Sequence, residues 1–193
     1  WYNKGTALFA KGSVSDSIKC FQRAVGLNPK YDEAWYNLGN AQWYLGFNLE
    51  AMLSLDRALD IKPEYNEAIR MRGEALEELK EQGREWEYWL ERGKMLAGSG
   101  RREEALVAFD RSIEVQAELD ETWIEKGKVL FALGRKPEAK RSFDKAIFIN
   151  MESAPAWYWK GRMSEADESY EEAFQSYSRA TDLDPHMVEP WVG

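Results

Sequence analysis

The sequence of 193 residues predicts an all-α protein, an α-solenoid of stacked antiparallel helix-turn-helix repeats, on three observations. Tryptophan recurs at a spacing of 34, at Trp1 and Trp35 and again at Trp89, Trp123, Trp157 and Trp191. Glycine keeps step with it, four residues on (Gly5, Gly39, Gly93, Gly127, Gly161, and Gly73 after Ile69, which stands 34 residues beyond Trp35) and eleven on (Gly12, Gly46, Gly100, Gly134), so ten of the 14 glycines fill two repeat positions. A small, bulky, small stripe comes later in each unit, as in Ala105, Phe109 and Ser112, and Pro29, Pro63 and Pro185 close three of the units.

Each element follows from these spacings. Trp123, Gly127 and Leu130 fall on one helical face and predict the apolar stripe of a first helix. The mid-unit glycine predicts the end of that helix, because it adopts a left-handed cap without a Cβ penalty. The second helix carries its stripe at steps of four and three, and the small residues let two backbones approach around the aromatic side chain. Proline then stops it, lacking an N–H and clashing with the preceding turn. Where Ala117 and Met151 replace that proline, softer boundaries are expected. One hairpin cannot bury its own stripe, whereas stacked copies can.

The units run at about 1–31, 32–65, 66–85, 86–119, 120–153 and 154–187, with the start of a further one at 188–193. The third, beginning its count at Ile69, is short by 14 residues. Its first helix is expected from about Asn66 to Gln82 with a break at Gly83, and its second helix is missing. Either two first helices lie in succession, dividing the array near Gly83, or a helix-sized stretch is absent from the sequence around residues 80–88. The clean return to the period favours the second explanation.

These motifs resemble those of the tetratricopeptide repeat family, and the run Ala34 to Pro63 alone is similar to its consensus. The resemblance covers essentially the whole chain and implies a right-handed superhelix whose first helices line a concave groove for extended peptides. One departure is basic: Lys4, Arg72, Arg92, Lys126 and Lys160 stand where the family usually has Leu, which here appears only as Leu38. Long basic side chains can cover apolar surface with their stems while the head reaches water.

Composition excludes several functions. With 26 basic and 34 acidic residues the formal net charge is −8, which argues against a nucleic-acid partner and against a polybasic membrane anchor. No apolar run approaches a bilayer span. The single cysteine, Cys20, cannot form an internal disulfide, and no signal peptide is visible, so a cytoplasmic setting is expected. The opening at Trp1 suggests a piece of something longer. No cofactor, metal site or enzyme is expected. His186 is the only histidine, and the Gly-Lys pairs at 93–94 and 127–128 lack the upstream glycine of a phosphate loop. The acidic pairs Glu103-Glu104 and Glu171-Glu172 open second helices, where the dipole favours negative charge.

The resemblance implies that the groove is lined by Tyr2, Asn3, Thr6, Phe9 and Ala10 in the first unit and by Glu33, Tyr36, Asn37, Asn40, Trp43 and Tyr44 in the second. Asparagine offers both donor and acceptor to a peptide backbone, and Tyr and Trp add contact area with a polar tip. Trp43 faces either the groove or the neighbouring repeat, the groove being favoured. In the later units the equivalent pairs are Glu91 and Lys94, Glu125 and Lys128, and Trp159 and Arg162. Their spacing of three predicts internal ion pairs. The alternative is a row of cations, Lys94, Lys128 and Arg162, that meets an acidic peptide, although Glu87 and Glu121 flank it. The carboxylate-holding pattern of chaperone-tail-binding members fails at Tyr2, Thr6 and Met71. An asparagine ladder extends no further than Asn3 and Asn37.

The expected function is therefore a non-catalytic scaffold that binds a peptide or protein partner. Two alternatives stand beside it: self-association through terminal repeats, tested by Val188→Glu, and the interaction region of a larger enzyme.

Overall fold

The computed structural model describes residues 1–186, and every regular element among them is an α-helix. In order they are α1 (Tyr2–Ala10), α2 (Val14–Leu27), α3 (Asp32–Tyr44), α4 (Asn48–Ile61), α5 (Asn66–Glu81), α6 (Glu85–Gly98), α7 (Arg102–Val115), α8 (Asp120–Ala132), α9 (Lys136–Ile149), α10 (Ala154–Ala166) and α11 (Tyr170–Leu183). They form two compact units, Trp1–Tyr88 and the remainder from Trp89, with the division inside α6. The expected further unit at 188–193, with Val188 and Trp191, lies outside the described residues.

First helices end as the glycine spacing predicts. Gly12, Gly46, Gly100 and Gly134 have φ between +75° and +82°, and the next residue's N–H reaches back over the turn, as Ser13 to the Leu8 carbonyl (2.9 Å) and Arg135 to that of Leu130 (2.9 Å). This double turn back satisfies carbonyls that the helix itself leaves open. Where the sequence has Glu168 instead, the conformation persists at φ +59° with Ser169 N–H on the Ser164 carbonyl at 2.9 Å. The α5 helix is longer than α3, 16 residues against 13, and ends the same way at Gly83, φ +67°.

The core lies between the two helices of each hairpin. A Cβ added at Gly5 would stand 2.6 Å from the Phe21 ring, at Gly39 2.8 Å from Leu55 Cγ, and at Gly127 2.5 Å from the Phe143 ring. Glycine at this position thus makes the room that the bulky residue of the second helix fills. Phe21, Leu55, Phe109 and Phe143 are fully buried, with Ala51, Ala105, Ala139 and Ser17 beside them.

The repeated tryptophan departs from the expected buried stripe. Trp1 is 58% exposed, and Trp35, Trp123 and Trp157 are half-buried. Each of these three donates its indole Nε1–H to the carbonyl six residues earlier, Pro29 (2.9 Å), Ala117 (3.0 Å) and Met151 (2.9 Å). The ring staples the loop that joins one repeat to the next. That staple uses a backbone oxygen and is indifferent to the side chain there, so the units closed by Ala117 and Met151 end as sharply as that closed by Pro29. The helices α2, α7 and α9 are all 14 residues long.

The basic residues three after the tryptophan do more than reach water. Lys4, Lys126 and Lys160 lie 5.4–5.6 Å from the centroids of Trp1, Trp123 and Trp157. Three of these basic residues also meet an acid sixteen residues earlier, in the preceding repeat: Lys126 on Asp110 (2.5 Å), Lys160 on Asp144 (3.0 Å) and Arg72 on the buried Asp56 (3.3 Å). The exception at Leu38 has Gln22, not an acid, at the corresponding place.

Candidate functional site

In the Trp1–Tyr88 unit the first helices are α1, α3 and α5, and they bring most of the predicted side chains into contact with one another. Asn37 spends both amide hydrogens inside the protein, on Tyr2 Oη (3.1 Å) and on the Glu33 carbonyl one turn earlier (2.9 Å). Tyr2 also packs against Tyr31, 4.8 Å between centroids, and Phe21, 6.1 Å. The pair therefore ties α3 to α1 and leaves the Asn37 carbonyl oxygen as its remaining polar atom. Phe9 meets Tyr44 edge-on at 5.9 Å, and Tyr44 stays 70% exposed. Asn3 is exposed and Asn40 half-buried, and neither side chain makes a hydrogen bond among the described residues.

Trp43 turns to the neighbouring repeat. Its Nε1–H donates to Glu78 Oε1 of α5 (3.2 Å), the other oxygen of that carboxylate accepts from Asn48 (2.7 Å), and its ring packs with Leu55, Ala68 and Met71. Tyr36 sits against Tyr65 at 4.9 Å, repeating the Tyr2–Tyr31 arrangement one unit later. Burial, then the neighbouring Tyr36, Glu33, Glu67 and Asp32, pushes the Tyr65 hydroxyl up to about 12. Tyr36 is raised by burial and by Glu67, with Arg70 opposing. Sequence reasoning missed Tyr31, Tyr65 and Glu78, although the 34-residue step from Tyr31 to Tyr65 was there to be found.

In the following unit the first helices are the later part of α6, α8 and α10. Lys94 lies between two carboxylates, Glu91 at 2.8 Å and Glu121 at 2.6 Å. Burial alone would lower its ammonium pKa; the hydrogen bonds it donates to Glu121 and Glu91 outweigh this and raise it. Lys128 pairs with Glu125 at 2.6 Å and rests 5.6 Å from the Trp159 ring. Arg162 is held differently. Its Nη1 donates to Tyr158 Oη (3.1 Å), its guanidinium stands 5.7 Å from Trp159, and its closest carboxylate, Glu165, is 3.9 Å away. Trp159 stacks on Phe143 at 6.0 Å and meets Phe131 edge-on at 6.4 Å. Of the three pairs spaced by three, Glu91 with Lys94 and Glu125 with Lys128 are ion pairs, whereas Trp159 with Arg162 is a cation beside a ring; two of the three cations are thereby neutralised.

Chemically, these faces can donate and accept hydrogen bonds and bury aromatic surface. Among the described residues no group of His, Cys, Asp and Glu could hold a metal ion, and no helix is long and apolar enough to cross a membrane. Cys20 is buried.

Comparison with known proteins places the chain among helical repeats. Family models described as TPR repeat or tetratricopeptide repeat match residues 5–46, 32–65 and 124–188. A solved structure of MamA AMB-1 is 17% identical and covers 95% of this chain and 97% of its own, with a TM-score of 0.53. The first TPR of Spaghetti (RPAP3), solved bound to the HSP90 peptide SRMEEVD, is 20% identical and covers 52% of this chain and 80% of its own, with a TM-score of 0.51. YrrB, a TPR protein with an unusual peptide-binding site, is 20% identical over 96% of this chain and 86% of its own, with a TM-score of 0.48. No curated protein matches.

Proposed function

This chain belongs to the tetratricopeptide repeat family, and from that premise we propose that it is a non-catalytic interaction scaffold whose unit Trp1–Tyr88 captures an extended peptide or partner segment on the face of α1, α3 and α5. The observation that carries this reading is the contrast in unspent polar capacity. Among the described residues the Asn3 and Asn40 side chains and the Asn37 side-chain carbonyl have no internal hydrogen-bond partner, and they lie on the same helices, α1 and α3, as Phe9 and the exposed Tyr44. The equivalent lysines of the next unit are already paired. Free amides beside aromatic rings can hold a backbone of any sequence, and the rings supply the buried area. A solved relative of the fold carries a peptide, SRMEEVD, which supports this use of the architecture. That acidic peptide is not the ligand we assign here.

The test is binding to an immobilised peptide array with purified wild-type chain and the variants Asn40→Ala and Asn37→Ala. Asn40→Ala touches no internal hydrogen bond and is expected to weaken capture about five- to tenfold, the scale of one hydrogen bond to a ligand. Equal capture by both variants contradicts the assignment. Self-association, the competing reading, is tested by light scattering across a concentration series, where a concentration-independent monomer is expected.

A further inference from the structure

The repeat register permits a comparison within the protein itself. Two residues ahead of the tryptophan position stands Glu121 in the second unit, and Lys94, five residues after the tryptophan position of the preceding repeat, lies on it at 2.6 Å. In the Trp1–Tyr88 unit the same place is held by Glu33, ahead of Trp35, and by Glu67, ahead of Ile69. The residues that correspond to Lys94 are Thr6 and Asn40, both uncharged. Glu33 and Glu67 are exposed, and among the described residues neither they nor Asp32 takes part in an ion pair. Around them stand Tyr36 and Tyr65, and Lys62 already rests 4.7 Å from the Tyr65 ring, so the surroundings accept a cation beside an aromatic face. Arg70, one turn after Glu67 on α5, is drawn to Glu74 at 3.5 Å.

We propose that the segment captured by the α1, α3 and α5 face is basic, and that its Lys or Arg side chains occupy Glu33 and Glu67 as Lys94 occupies Glu121. This deepens the peptide-binding reading and rests on it. The amides hold the main chain and the two carboxylates select the side chains. First helices of adjacent repeats pack about 8–10 Å apart, and a chain in the polyproline II form advances about 3.1 Å per residue and returns to the same face every third residue, so the two cations are about three residues apart. The carboxylates are exposed, so the selectivity weakens as salt screens it.

The experiment uses the intact chain and an array of twelve-residue peptides of balanced random composition. Peptides retained by the wild type are expected to be enriched in Lys and Arg, with pairs about three residues apart. Glu33→Gln with Glu67→Gln is expected to lose that enrichment and about tenfold in affinity for a retained basic peptide, at unchanged helicity. Thr6→Lys with Asn40→Lys, which installs the internal cation of the other unit, is expected to lose the preference in the same way. Retained peptides with no basic bias, or a bias that survives Glu33→Gln with Glu67→Gln, overturn the proposal while leaving peptide capture intact. Capture of no peptide at all overturns both readings.

Discussion

On the Trp1–Tyr88 unit the first helices expose amides and rings, and Glu33 and Glu67 stand there without a cation. On the unit from Trp89 onward the same places carry Lys94 on Glu91 and Glu121, Lys128 on Glu125, and Arg162 on Tyr158 and Trp159. The hairpins beneath are alike, with a glycine of the first helix against a bulky side chain of the second (Phe, Leu or Tyr) and a turn at positive φ. What distinguishes the units is which polar groups are already satisfied. A face whose charges neutralise one another has little to offer a ligand. A face with unspent donors, acceptors and carboxylates has much more.

Changes to what the units share have the largest expected effect. Gly127→Ala forces a methyl group to within 2.5 Å of the buried Phe143 ring, which must shift to admit it. It is expected to destabilise the second unit by about 1–3 kcal/mol, read as a lower urea midpoint. The counterpart Gly39→Ala meets Leu55 Cγ at 2.8 Å and the Ala51 carbonyl oxygen at 3.1 Å, and is expected to weaken the first unit comparably. Two transitions are expected in the urea titration, one for each unit, and each variant should shift one of them more than the other; a single shared transition would show that the units unfold together.

Next come the groups that differ. Trp43→Phe removes one hydrogen bond to Glu78 and keeps the Asn48 bond to the other oxygen, and is expected to cost about 1 kcal/mol. Lys94→Ala leaves Glu121 as exposed as Glu33. Its stability loss is expected to stay below about 1 kcal/mol, since the pair is partly solvated. It should give the second unit some affinity for basic peptides, measurable by anisotropy. Glu168→Gly relieves a left-handed conformation at φ +59°. It is expected to raise stability by about 0.5–1 kcal/mol, part of the relief being offset by the greater freedom of glycine in the unfolded chain.

The last effect appears only at high pH. The Tyr65 hydroxyl is raised from 10.0 to about 12, by burial first. A group whose folded pKa is raised stabilises fully below its unfolded value and loses that contribution as pH rises through the folded one. Between pH 10 and 12 the wild type should therefore lose stability more steeply than Tyr65→Phe, in parallel urea titrations.

Helices and turns were legible in the sequence because each depends on a residue with few substitutes. Gly12, Gly46, Gly100 and Gly134 mark left-handed turns, and Gly5, Gly39 and Gly127 mark close approaches. The role of the repeated tryptophan was not legible, since Nε1–H bonds to a backbone carbonyl that leaves no trace in residue identity. At the candidate site the ion pairs of Lys94 with Glu91 and Lys128 with Glu125 could be read from spacing along one helix. Asn37 on Tyr2, Trp43 on Glu78 and Lys94 on Glu121 join different repeats, and partner choice there depends on helix packing that spacing within one helix does not specify.

Amide chemical-shift mapping tests the central claim most directly. A basic peptide retained by the array is titrated into the isotopically labelled chain, and the perturbed backbone amides are assigned to helices. Shifts concentrated in α1, α3 and α5, around Asn3, Glu33, Asn40 and Glu67, are the predicted result. Shifts confined to α8 and α10 would contradict the account, because they would place the ligand on the face whose charges are already paired.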